Sequence, residues 1–170
     1  MLIEPEIRLL EFLKGNVSNY HQKTIYDIWA YDTRQLEKDH HYIQWLFPLT
    51  TKSKYNLLCP KIKHLDIFQN RIILSNMKSS FSLMLHFYGL EYKNGIVSQT
   101  ENYKKRLSDW CTKDNHNYKR ITRILHSLVL FGLVDEATAF YDKLVEIYNR
   151  NQNTIGSDTF RYWTQALEKG

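Results

Sequence analysis

Three features of the sequence predict an all-α protein, a single compact helical domain of about seven to nine helices. Glycine and proline are scarce, with 6 Gly and 3 Pro in 170 residues, too few for the turns of a loop-rich β-sandwich. Apolar residues recur with a helical spacing along most of the chain. Hydrophobic residues make up 43% and aromatic residues 14% of the sequence, enough for a packed core and too many for a disordered chain.

The first helix is expected over residues 5–14, with Ile3, Ile7 and Leu10 at helical spacing, Pro5 in the first turn and Gly15 closing it. A polar link, 16–22, precedes a second helix capped by Thr24 and carrying Ile25, Ile28 and Trp29. The stretch around which the chain is organised follows. Capped by Thr33, one central helix is expected to reach Phe47, with Leu36, His40, Ile43 and Phe47 on one stripe. Tyr42, Trp45 and Leu49 fill the neighbouring face, and Pro48 stops the helix.

Residues 50–56 read as an exposed, lysine-bearing loop, and Pro60 as the start of a short helix burying Ile62, Leu65 and Phe68. The longest clean helix is expected over 70–88, with the stripe Ile73, Met77, Phe81, Met84 and Tyr88 and a left-handed cap at Gly89. Lys93-Asn94-Gly95 is a turn signal flanked by a few extended residues. Ser98 and Glu101 match a capping box for a helix that buries Tyr103, Leu107 and Trp110 and turns Lys104, Lys105 and Arg106 outward.

A polar break at 113–117 leads to a helix over 118–131, with Ile121, Ile124, Leu125 and Leu128 inward and Gly132 at its end. Helices over 135–149 and 157–168 form a C-terminal pair, the first presenting Phe140 and Leu144 and the second Phe160 and Trp163.

Four segments in a fixed order carry a resemblance. They are the run from His40 to Leu49 (HHYIQWLFPL), Ser82 to Leu90 (SLMLHFYGL), Asn102 to Arg106 (NYKKR) and His116 to Leu125 (HNYKRITRIL). Together they resemble the opioid growth factor receptor conserved region, most strongly over residues 29–133. The stretch between Trp110 and His116 is a few residues longer than in that family, and the sequence ends at Gly170, short of the extended downstream region of the animal receptors. The resemblance implies a helical domain and, in animals, association with an enkephalin-type peptide. It assigns no residue to that contact.

The formal charge of +5 and pI near 9.1 are mildly basic, permitting acidic partners without demanding nucleic acid. Cys59 and Cys111 are too few for a disulfide framework and fit a reducing compartment. The first residues lack the basic and apolar regions of a signal peptide, and the longest apolar run, 128–134, is far short of the ~20 residues of a membrane span. The expectation is a soluble, cytoplasmic protein with no transmembrane segment, which leaves peripheral membrane association open.

Chemistry-bearing patterns are sparse. Asp39, His40 and His41 are types that ligate metals, but neither HxxxH nor CxxC spacing occurs, so no metal and no cofactor is expected. No glycine-rich phosphate loop, serine elbow or paired acidic motif appears, and Cys59 and Cys111 read as core or helix-end positions, so a non-enzymatic protein is expected.

Two readings remain for the polar residues. Basic helices carrying Lys104, Lys105 and Arg106, and His116, Lys119, Arg120 and Arg123, interleave with Tyr103, Trp110 and Tyr118 in a pattern that suits nucleic acid. The preferred reading is a module recognising a peptide or protein partner. In it Glu37, His40 and Gln44 line one edge of the central helix and His116, Arg120 and Arg123 line a later one. Glu37 and His40 are expected to meet Arg120 and Arg123 in a charge-assisted network that fixes helix register or floors a binding groove. The fold class has a direct check: far-UV circular dichroism should be dominated by helix, and a spectrum with strand as its main component would reject it.

Overall fold

In the computed structural model of the protein, the described residues are 4–169, and they hold ten α-helices, one 3₁₀ turn and one two-stranded sheet. Ile3, expected on the first helical stripe, lies outside the described residues. The chain divides into two compact units, Met1–Ser80 and Phe81–Gly170.

The first unit opens with α1 (Pro5–Leu13), which starts on a proline whose missing N–H costs nothing there. Gly15 ends it at φ +87, with Gly15 N–H bonded to the Phe12 carbonyl and Asn16 N–H to that of Glu11, the paired closure of a Schellman motif. Leu9, Phe12 and Leu13 are fully buried, whereas Ile7 is 39% exposed and falls outside the expected stripe. Helix α2 (Ile25–Trp29) is capped by Thr24 and Asp27 in a reciprocal box. Helix α3 (Thr33–Lys38) has the same box one residue earlier than expected: Asp32 is the cap, paired with Gln35, and Thr33 is the first helical residue.

The expected central helix is broken. Helix α3 ends at Lys38, and α4 (Ile43–Leu46) begins only after a turn. Asp39 is extended (φ −79, ψ 119), and its carboxylate accepts the His41 N–H at 2.8 Å and the Tyr31 hydroxyl at 2.8 Å. The Tyr42 hydroxyl donates to the Leu36 carbonyl at 2.8 Å, taking the acceptor that the His40 N–H would use in a continuous helix. Leu36, Ile43 and Phe47 keep their buried places, but His40 leaves the stripe for solvent. Trp45, fully buried, packs edge-on against Phe12 and Tyr20 at 5.2 and 5.5 Å between ring centroids.

No α-helix starts at Pro60. A single 3₁₀ turn, Leu65–Phe68, occupies the end of that stretch, with Ile62 and Phe68 buried. Helix α5 (Arg71–Phe87) contributes its part through Ser80 to this unit. Here Asn76 Nδ2 donates to the Leu13 carbonyl at 2.7 Å, and Trp29 Nε1 to Ser80 Oγ at 2.9 Å.

The second unit starts within α5. The stripe Ile73, Met77, Phe81, Met84 and Tyr88 is at most 1% exposed, and Gly89 turns the chain at φ +82. Strands β1 (Leu90–Lys93) and β2 (Ile96–Gln99) form an antiparallel hairpin with Lys93 opposite Ile96 and Leu90 opposite Gln99. Asn94 and Gly95 have φ +52 and +81, the left-handed pair that matches a hairpin's twist.

The capping box expected at Ser98 does not form, because Ser98 is paired in the hairpin opposite Glu91. Helix α6 (Tyr103–Trp110) begins instead at Asn102 without a side-chain cap. Helix α7 (Asn117–Leu130) packs against α8 (Val134–Arg150) and α10 (Ser157–Glu168), with the one-turn α9 (Gln152–Ile155) between the last two in sequence. Ile121, Ile124, Leu125 and Leu128 are fully buried, as are Trp110 and Trp163.

Arg106 is the clearest departure in this unit, being 8% exposed rather than outward. Its Nε donates to the Phe87 carbonyl at 2.6 Å, its Nη1 meets Asp109 at 2.7 Å, and its guanidinium lies 4.7 Å from the Phe87 ring centroid. Trp110 Nε1 takes the Tyr88 carbonyl at 3.1 Å. Two carbonyls left over at the α5 C-terminus are thus satisfied by α6.

That docking leaves no room at Gly89, where an added Cβ would stand 2.7 Å from Tyr103 Cα, whereas the Cβ of Gly132 would meet open space. Both glycines have φ near +80. Gly132→Ala should therefore cost about 1–2 kcal/mol from the left-handed backbone alone, and Gly89→Ala about 1–3 kcal/mol more from overpacking. Urea unfolding of the two variants measures the difference.

Candidate functional site

Of the six residues singled out by the sequence, Glu37, His40 and Gln44 belong to the first unit and His116, Arg120 and Arg123 to the second. In the first, the broken helix removes the shared edge on which the three were expected. Glu37 is half-buried on α3, His40 is exposed in the turn, and Gln44 is 6% exposed on α4. Gln44 Oε1 accepts from Asn56 Nδ2 at 3.3 Å, and the same amide donates to the His41 carbonyl at 3.1 Å. Gln44 therefore anchors the segment after Pro48. The neighbouring His41 ring stacks on His21 at 4.3 Å. Burial, then the hydrogen bond from its hydroxyl to Asp39 and the Asp39 charge, pushes the Tyr31 hydroxyl up to about 12.

A second polar cluster, which the sequence reading missed, holds α1 to residues 63 and 64. Glu6 accepts the backbone N–H of Lys63, the backbone N–H of His64 at 2.8 Å and lies 2.7 Å from His64 Nδ1. Its partners stand 57 and 58 residues away, and no local spacing announces such a contact. Burial pushes the Glu6 carboxyl up, but the hydrogen bonds from His64 and Lys63 and the His64 charge outweigh it and hold the carboxyl below its ordinary value. The Glu6 hydrogen bond and charge raise His64.

In the second unit, His116 is exposed at the N-terminus of α7, Arg123 is half-buried and Arg120 is 6% exposed. Fully buried Asn117 organises this end: its Oδ1 accepts from the Tyr88 hydroxyl and from Arg120 Nη1, each at 3.4 Å, and its Nδ2 donates to Asn115 at 3.0 Å. Arg120 therefore does not lie on a solvated basic face with Lys119, and neither does Arg106 with Lys104 and Lys105. The interleaved array expected for nucleic acid loses two of its arginines to the interior. Burial, then the charges of Lys169 and Arg123, lowers half-buried His126. Burial raises the Cys111 thiol against a hydrogen bond with Tyr118, keeping it away from the reactive thiolate form. Among the described residues, no three His, Cys, Asp or Glu side chains converge to hold a metal, and no helix is long and apolar enough to cross a membrane.

These features define a mostly helical protein in which buried Gln44, Asn56, Arg106 and Asn117 anchor loops and helix ends. The chain belongs to the opioid growth factor receptor conserved region family, whose profile matches residues 8–169. It is 37% identical over 109 residues to opioid growth factor receptor-like protein 1 of Xenopus tropicalis, covering 61% of this chain and 21% of that protein. It is 34% identical over 110 residues to the human opioid growth factor receptor, covering 62% of this chain and 16% of that protein. The mouse receptor-like protein 1 is 33% identical over 109 residues, 61% of this chain and 23% of its own length. The chain thus spans less than a quarter of each of these relatives. No solved structure matches it.

The Glu6–His64 contact should respond to pH at both ends. A raised histidine contributes its stability fully below its ordinary value of 6.5 and loses it as pH rises through the raised pKa. A lowered carboxyl contributes fully above its ordinary value of 4.5 and loses it as pH falls through the lowered pKa. The clamp should be strongest between pH 4.5 and 6.5. An NMR titration should place His64 above 6.5 in the native protein and return it towards 6.5 in Glu6→Gln. An unchanged titration would show that Glu6 does not hold it.

Proposed function

We propose that this chain is a non-enzymatic binding module that recognises a peptide or protein partner. The observation that carries the reading is the family match over residues 8–169, nearly the whole chain, to a conserved region of proteins named as receptors for a growth factor. The local chemistry agrees with it. Gln44, Asn117 and Arg106 hold backbone and amide groups in place, and burial disfavours the Cys111 thiolate. Glu37 and His40 in the first unit, and His116 and Arg123 in the second, are the candidate ligand contacts that retain exposure. Gln44 and Arg120, the other two candidates, are buried.

Calorimetric titration of the full chain with an enkephalin-type peptide tests this reading. Saturable binding is expected, and His40→Ala or Glu37→Gln should weaken it about ten-fold, the worth of one hydrogen bond to a charged group. Unchanged thermal midpoints would separate lost contacts from lost stability. Absence of any saturable heat with the peptide, together with no thermal shift, would remove the peptide from this chain's function.

A further inference from the structure

The segment between α4 and the 3₁₀ turn carries an inverted pattern of burial. Asn56 is 3% exposed, while its neighbours Tyr55, Leu57 and Leu58 are 58%, 66% and 57% exposed. Exposed leucines scattered singly are ordinary, but adjacent ones in a fixed loop whose polar residue points inward are not. The loop is fixed. Ile62 N–H donates to the Leu49 carbonyl at 2.9 Å and closes its base, and Cys59 N–H donates to the Asn56 carbonyl at 3.1 Å. The Asn56 amide is held by Gln44 and by the His41 carbonyl, and Cys59 is 1% exposed. With Asn56 and Cys59 pinned on either side, Leu57 and Leu58 are held outward.

Within the loop the charge has one sign, and the Glu6 carboxylate of α1 meets only its far end, at Lys63 and His64. Lys52, Lys54, Lys61 and Lys63 are all exposed, and no Asp or Glu occurs between Asp39 and Asp66. Lys54 Nζ sits 5.4 Å from the Tyr55 ring centroid, so cation and aromatic ring present together.

We propose that loop 50–63 is a docking surface for an anionic lipid bilayer, with Leu57, Leu58 and Tyr55 entering the interface and the four lysines meeting lipid phosphates. Charge complementarity selects an anionic occupant. The apolar groups select a bilayer over a free phosphate, which has nothing for two exposed leucines. A bilayer also accepts projecting side chains without a shaped counterpart, and tyrosine is favoured at the level of the headgroups. Apolar insertion and basic attraction are the two signals that together give stable peripheral binding. The proposal stands independently of any peptide contact.

Flotation of the full chain with phosphatidylcholine vesicles, with and without phosphatidylserine, tests it. Binding is expected only with phosphatidylserine and should weaken as salt rises, because the lysine contribution is screened. Leu57→Ser with Leu58→Ser should reduce partitioning by about ten-fold or more, the worth of burying a leucine side chain. Lys52→Gln with Lys54→Gln should reduce it about five-fold per lysine and flatten the salt dependence. All four positions are exposed, so circular dichroism should show both variants folded. Failure of the native chain to bind phosphatidylserine vesicles at physiological ionic strength would overturn the proposal, as would equal binding by the leucine variant. Binding of poly-glutamate that these variants lose, without any vesicle binding, would overturn it in favour of an acidic polypeptide.

Discussion

Large aromatic side chains with a single polar atom set the terms of this fold. Burying a tryptophan or tyrosine forfeits about 1–3 kcal/mol unless its one N–H or O–H finds an acceptor. Here the acceptors are repeatedly backbone carbonyls that helix ends and turns leave over. Tyr42 takes the carbonyl of Leu36, Trp110 that of Tyr88 and Tyr118 that of Thr112. Each bond satisfies two groups at once and fixes where an element stops. Tyr88 and Tyr31 find side-chain acceptors instead, on Asn117 and Asp39. Trp45 is the exception: its Nε1 is buried without a partner among the described residues, and its ring is held by Phe12 and Tyr20.

This constraint explains the broken central segment. A helix from Thr33 to Phe47 would satisfy its own backbone, but it would leave the buried Tyr42 hydroxyl and the Asp39 carboxylate to find other partners. Breaking it at Asp39 gives Tyr42 the Leu36 carbonyl, gives Asp39 the Tyr31 hydroxyl and the His41 N–H, and still buries Leu36, Ile43 and Phe47. The histidines between the two short helices become surface groups. The Asn56 amide then reaches the His41 carbonyl and Gln44, which connects the break to the shape of the following loop.

The positive charges are sorted by the same rule. Arg106 and Arg120 lie inside, where Arg106 donates to a carbonyl and a carboxylate and Arg120 has an amide oxygen among its partners, so neither contributes to a surface field. The lysines of loop 50–63 stay outside beside exposed apolar groups. A net charge of +5 therefore says little about where basicity is displayed.

The sequence by itself determined most of the helices, their apolar stripes, the Thr24 cap, the Gly15, Gly89 and Gly132 stops, the Asn94-Gly95 turn and the family. All but the family, which rests on four ordered segments between His40 and Leu125, are written in residues within about four positions of one another, the range over which helical periodicity, caps and tight turns act. The candidate site was legible as residue types, but the straight edge drawn through Glu37, His40 and Gln44 runs over a helix that breaks. Tertiary structure decided those points, because in each a distant group competes for a local one. The Tyr42 hydroxyl claims a helical carbonyl, Glu91 pairs with the serine of an expected cap, and the Phe87 carbonyl claims Arg106. The Glu6 contact with His64 is of the same kind. Local spacing carries no record of which partner folding will bring, and the partner decides whether a polar group is spent inside or displayed.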